Sequence, residues 1–91
     1  MISLFNIGQV VTTRRASAAL RRSGLGPGGF LFRHCLGDWG DVPAWAAAEN
    51  QSALDQGRDI MSSYRTDCGD KLCVVTKADR STTKVMLSSE A

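Results

Sequence analysis

The chain has a single histidine, two prolines and no acidic residue ahead of Asp38 in its 91 positions. It also has no long apolar run. The stretch Ala44-Trp45-Ala46-Ala47-Ala48 stops far short of the roughly 20 residues that a membrane-spanning helix needs, so no span and no membrane partner are expected. The opening residues Met1 to Ile7 carry neither the basic region nor the apolar stretch of a secretory signal. The cytoplasm is the expected compartment.

Scarce histidine limits the chemistry. Nucleophilic catalysis needs a Cys or Ser activated by a base, and here the base has to be His34, paired with Cys35, Cys68, Cys73 or a serine. Adjacent helical residues point about 100° apart, which disfavours His34 with Cys35. Zinc sites place ligands in close pairs such as C-x2-4-C, and His34, Cys35, Cys68 and Cys73 provide no such pair. No catalytic residue, metal site or cofactor site is therefore expected, and the chain reads as a non-enzyme. Three cysteines at irregular spacing are not the even framework of a disulfide-stapled secreted domain, and reduced thiols are expected. A Cys68–Cys73 bridge across a hairpin end is geometrically conceivable.

What is present is an ordinary globular composition, 43% hydrophobic and 22% charged, in a length that supports one core. A single α+β domain over residues 1–91 is expected. The net charge of +2 hides an asymmetry: residues 1–36 hold five arginines (Arg14, Arg15, Arg21, Arg22, Arg33) and no acid, whereas residues 37–91 hold six bases and nine acids. Either the basic third faces an acidic partner or nucleic acid, or the two segments fold against each other.

Local patterns set the elements. Gln9-Val10-Val11-Thr12 reads as a short N-terminal strand. Thr13 can cap a helix over Arg14 to Arg22, with Ala16, Ala19 and Leu20 on one face. Arg21 and Arg22 suit the carbonyl end of that helix, whereas Arg14 and Arg15 sit at the wrong end of its dipole, a placement better explained by a contact. Pro27 opens a second helix reaching Leu36, with Phe30, Leu31 and His34 on its apolar side. Asp41 is expected to cap a third helix, with Pro43 in its first turn and a stop at Gly57. Three strand-length segments follow, Ile60–Arg65, Leu72–Thr76 and Thr83–Leu87, as a three-stranded antiparallel meander packed on the helices.

Loop length decides which residues face the core. If both hairpin loops have four residues, Met61, Ser63, Leu72, Val74, Val85 and Leu87 share the core face, and Ile60, Ser62, Tyr64, Cys73, Val75, Lys84 and Met86 share the other. That second face is too apolar for open water, so a helix, a second copy or a partner is expected to cover it. A homodimer through it, and a contact role for Tyr64, follow from this register.

Two local motifs have ordinary explanations. Gly24-Leu25-Gly26-Pro27-Gly28-Gly29 matches G-x-G-x-x-G, but a helix precedes it and the later strands form a meander, so a helix–helix turn is expected instead of a nucleotide site. Asp38-Trp39-Gly40-Asp41 reads as a core tryptophan between two acids that cap or turn the chain, with a recognition loop as the alternative. Trp45 lies opposite Leu54 on the third helix, so it is either an outward anchor for a protein partner or tucked against the preceding loop.

Phe5-Asn6-Ile7-Gly8-Gln9-Val10-Val11, Phe30-Leu31, Arg33-His34, Gly37-Asp38-Trp39-Gly40-Asp41, Asn50, Ala53-Leu54, Ser63-Tyr64-Arg65-Thr66, Thr76, Ala78-Asp79-Arg80-Ser81 and Thr83 form one ordered set across nearly the whole chain. In these residues the chain resembles a family of small, largely uncharacterised proteins carried by bacterial plasmids and integrative elements. It departs from that pattern at Trp45, Cys73, Lys77 and Met86-Leu87-Ser88-Ser89, which would fit a surface retuned for a different partner. The resemblance implies a mobile genetic element. With no visible chemistry, it points to an anti-defence role, a non-enzymatic inhibitor that binds a host CRISPR-Cas effector as anti-CRISPR proteins do. The expected contact residues are Arg14, Arg15, Arg21, Arg22, Arg33, Trp45 and Tyr64. The alternative is a small nucleic-acid-binding or regulatory protein using those arginines on phosphates.

Overall fold

The computed structural model describes residues 3–91; Met1 and Ile2, included in the extended opening stretch expected from sequence, lie outside the described residues. The order of elements is β1 (Gln9–Thr12), α1 (Arg14–Arg22), α2 (Gly28–Cys35), α3 (Ala44–Gln56), β2 (Ile60–Arg65), β3 (Lys71–Thr76), β4 (Thr82–Leu87) and a 3-10 turn, Ser88–Glu90. The α+β class is as expected, but the meander is part of a larger sheet. β1 pairs in parallel with β4, giving a four-stranded mixed sheet in the order β1-β4-β3-β2.

Each helix follows from its ends. Thr13 Oγ1 accepts from the Ala16 N–H at 3.1 Å, and Ala16, Ala19 and Leu20 bury against the sheet, so α1 forms as its sequence dictates. In α2, Phe30 and His34 are the buried residues. The glycine-rich stretch before it is the turn between α1 and α2. α3 ends at Gly57 in the left-handed region, but the expected Asp41 cap does not form. Extended Pro43 occupies the cap position, and the Asp41 N–H instead donates to Ser63 O at 2.7 Å, drawn to the edge of β2.

The first hairpin overturns the expected register. Thr66 N–H bonds Asp70 O at 2.9 Å and Gly69 N–H bonds Thr66 O at 2.9 Å, so three residues, Asp67-Cys68-Gly69, make the turn. Gly69 supplies the left-handed residue that such a turn requires, at φ 88°. The second loop does have four residues, Ala78 to Ser81, closed by Lys77 N–H on Thr82 O. One residue fewer in the first turn flips β2 relative to β3 and β4. Ile60, Ser62 and Tyr64 therefore join Leu72, Val74, Thr76, Thr83 and Val85 under the helices. Met61, 46% exposed, moves to the outer face with Ser63, Arg65, Lys71, Cys73, Val75, Lys84 and Met86. That face is more basic than expected, carrying Arg65 and Lys71 as well as Lys84.

The edge of β2 is sealed by side chain and loop. Asn50 from α3 donates to Met61 O at 2.7 Å and accepts from Met61 N–H at 3.1 Å, reading the strand edge with both ends of its amide. Beyond it, Ser63 N–H donates to Trp39 O at 3.0 Å. Gly40, at φ 73°, makes this approach possible: a Cβ there would strike the Ser63 carbonyl and the Tyr64 ring. Gly40→Ala should cost more than about 3 kcal/mol, whereas Gly57→Ala, also left-handed but facing open space, should cost about 1 kcal/mol. Urea unfolding of the two variants checks this; equal losses would mean that the seam against β2 is not tightly packed.

Candidate functional site

The one histidine is entirely buried, and both of its nitrogens meet hydroxyls. His34 Nδ1 lies 2.5 Å from Ser62 Oγ and Nε2 lies 2.9 Å from Thr76 Oγ1; Thr76 Oγ1 is 2.6 Å from Thr83 Oγ1, which donates to Ile7 O at 2.7 Å. A carbonyl can only accept, so the proton order along the chain is fixed from that end. Thr83 donates to Ile7, Thr76 donates to Thr83, and His34 donates from Nε2–H to Thr76. The imidazole is neutral at neutral pH, so Nδ1 is bare and accepts from Ser62. Burial, with a smaller contribution from the Arg80 charge, lowers its pKa to about 4.

Ser62 and His34 have the separation of a nucleophile and its base, yet neither has any accessible surface. Phe5 meets the imidazole edge-on at 5.2 Å between ring centres, Trp39 does so at 6.0 Å, and the Arg80 guanidinium lies 5.6 Å from the Phe5 ring. No substrate atom reaches Ser62 in this arrangement. Cys35, Cys68 and Cys73 are free, and burial pushes the Cys73 thiol up, away from the reactive thiolate. Among the described residues no group of three His, Cys, Asp or Glu side chains is placed to hold a metal ion.

The residues expected to bind a partner separate into three kinds. Tyr64 is withdrawn: its ring is 1% exposed and its hydroxyl donates to Asp38 O at 2.6 Å, a correction that follows from the three-residue turn. Arg22 and Arg33 are engaged within the fold. Arg22 pairs with Asp70 at 3.1 Å, and Arg33 pairs with Asp38 at 2.7 Å while its guanidinium lies 4.6 Å from the centre of the Tyr64 ring. The Arg33 guanidinium holds the Asp38 carboxyl below the usual carboxylate range. Arg14, Arg15 and Arg21 are exposed and have no ion-pair partner among the described residues. Trp45 is 73% exposed in the first turn of α3, an outward side chain that did not tuck against the preceding loop.

Arg14 and Arg21 come together. Seven residues apart on α1, they lie on the same side of the helix and line an open groove of about 730 Å³ with Thr12, Ser17, Leu20, Leu25, Gly26 and Pro27. Trp45 does not join them, because α3 packs on β2 at one end of the sheet order and α1 packs on β4 beside β1. Sequence reasoning found the arginines but missed the apolar lining. Its only sequence signal was Leu25, an aliphatic residue inside a glycine-rich turn.

Compared with known protein families, with curated proteins and with solved structures, the chain matches none.

The hydroxyl relay predicts a specific acid sensitivity. Above pH 6.5 His34 is neutral in both the folded and unfolded chain, so its contribution is complete; between 6.5 and about 4 the unfolded chain takes up a proton that the fold refuses. Stability should therefore fall by roughly 2–3 kcal/mol between about pH 7 and about pH 4.5, before Asp38 begins to titrate. Urea midpoints across this range check the loss, and the imidazole NMR signals should report the Nε2–H tautomer throughout. A histidine that titrates near its free value would refute the buried relay.

Proposed function

We propose that the chain is a non-enzymatic binding protein of a mobile genetic element, acting by occupying a surface of a host defence complex in the manner of an anti-CRISPR inhibitor. The setting comes from the resemblance to plasmid-borne proteins. The contact mode is supported by one observation above the others: a groove that sets Arg14 and Arg21 beside Leu20, Leu25 and Pro27. Guanidinium next to apolar surface complements a protein segment with acidic and apolar side chains. A phosphodiester backbone would use the charges and leave the apolar lining idle. Trp45 is a second anchor of the kind that dominates protein interfaces, on another face.

Nucleic-acid binding is the second reading, favoured by the acid-free outer side of α1. Against it, α1 is only nine residues long and the outer sheet face carries Met61, Val75 and Met86 in place of aromatic stacking partners. Salt separates the two. Binding through the α1 arginines to duplex phosphates should give a slope of about −3 in log affinity against log salt, and a protein interface a shallower one.

Expressed in bacteria that carry an active CRISPR system, the chain should restore plating of a targeted phage. Arg14→Glu with Arg21→Glu should abolish that protection with the fold intact by circular dichroism, and Trp45→Ala should weaken it if the α3 face is also used. Unchanged phage restriction across CRISPR types, with the protein expressed and folded, would sink the defence reading.

A further inference from the structure

The two edges of the sheet are treated differently. On β2, the outward groups of Met61 are taken by Asn50 and those of Ser63 by Trp39 and Asp41. On β1, Gln9 N–H bonds Ser81 O at 3.0 Å and Thr13 N–H bonds Val85 O at 2.9 Å. In a parallel ladder alternate residues point at the neighbour, so Gln9 and Val11 face β4 while the N–H and C=O of Val10 and Thr12 point away from it. Among the described residues no hydrogen bond meets those four groups. Edge strands are normally blunted by charge, proline or a bulge; Gln9-Val10-Val11-Thr12 has no charged residue and no proline, and it pairs in unbroken register with Thr82 to Val85.

We propose that β1 is a docking edge at which an extended, acidic segment of a partner protein adds as a fifth strand. The inference rests on the reading of the chain as a contact protein and specifies how contact is made. Thr12, at the end of β1, lines the groove that also holds Arg14 and Arg21. A strand laid along β1 sends alternate side chains to the helix side of the sheet, where acidic ones meet the two guanidinium groups. The intervening side chains fall on the outer face beside Val11, which is exposed. The recognised pattern is therefore an alternation of acidic and aliphatic residues. A second copy is the less suitable occupant, because it would bring another arginine-rich α1 to the same edge and has no acid before Asp38 to offer.

The probe is a short capped peptide alternating glutamate and valine, with a lysine–valine peptide as its control, added to the full chain. In the free protein the Val10 and Thr12 amides should exchange as unprotected groups while Gln9 and Val11 are protected. The glutamate peptide should slow exchange at Val10 and Thr12 at least about tenfold, and the control should not. Val10→Pro removes one outward N–H without touching the bonds to β4, and should weaken the peptide about tenfold at unchanged melting temperature. Arg21→Glu should weaken it through charge.

Peptide binding that leaves the Val10 and Thr12 amides unchanged overturns strand addition, as does a peptide that does not bind. A dimer by light scattering, with those amides protected before peptide is added, also overturns it and assigns the edge to a second copy. In the phage assay, full protection by Val10→Pro overturns the docking mode and leaves the defence reading standing. Failure of the wild-type chain there, with peptide protection intact, does the reverse.

Discussion

The fold depends on one buried imidazole. His34 in α2 touches Ser62 in β2 and Thr76 in β3, and Thr76 passes the chain of donors to Thr83 in β4 and on to the Ile7 carbonyl just before β1. Four polar side chains are thereby taken out of water with none left unsatisfied. Each bond alone contributes about 1 kcal/mol net, but an orphaned member would cost its full desolvation. The relay also fixes where α2 lies on the sheet. A leucine at that position would satisfy the core's volume but leave the Ser62 hydroxyl without its acceptor and Thr76 without its donor, which is why a polar network here constrains register as well as stability.

The same end of the sheet is closed by an arginine of unusual conformation. Arg80 is the one non-glycine residue at positive φ among the described residues, at 61°, and its guanidinium donates to Arg58 O, Lys77 O and Ala53 O. It thus caps the carbonyl end of α3 and ties the β3–β4 loop to the approach to β2. The strain of a left-handed arginine costs on the order of 1 kcal/mol, and three charge-assisted bonds offset it. Its charge, set over Phe5 beside His34, also helps keep the imidazole neutral. Helix cap, loop geometry and relay are therefore one coupled unit.

Much of this was legible in the residues, and the part that was not has a definite cause. Thr13 with Ala16, Ala19 and Leu20 declared α1, Gly57 declared the end of α3, and the core position of Trp39 followed from its bracketing turn residues. The facing of β2 was misread because Asp67-Cys68-Gly69-Asp70 reads equally as a four-residue loop; whether Asp70 is turn or strand partner depends on the Thr66 hydroxyl, which accepts from Asp70 N–H at 3.1 Å. Local sequence does not encode that choice, and one residue moves Tyr64 from surface to core. The parallel pairing of β1 with β4 joins residues more than seventy positions apart and has no local signature at all.

The charge asymmetry resolves into two populations, arginines engaged within the fold and arginines with no ion-pair partner among the described residues. Arg22 and Arg33 reach across to Asp70 and Asp38, so part of the basic third does fold against the acidic remainder. These pairs are half exposed and contribute at most about 1 kcal/mol each, so they orient loops more than they stabilise the domain. Arg33 does this by stacking on Tyr64 and holding Asp38 beside the Gly40 seam. Arg14 and Arg21 have no such task. They stand at a groove, beside the one strand edge that no Asn50 or Trp39 covers, and Arg14 at the amino end of α1 opposes the helix dipole. Only Arg21, in the last turn of α1, is favoured by that dipole, so the charge of Arg14 stands beside unspent backbone donors and acceptors without a stabilising task in the helix, and it is on that coincidence that strand docking at β1 is proposed.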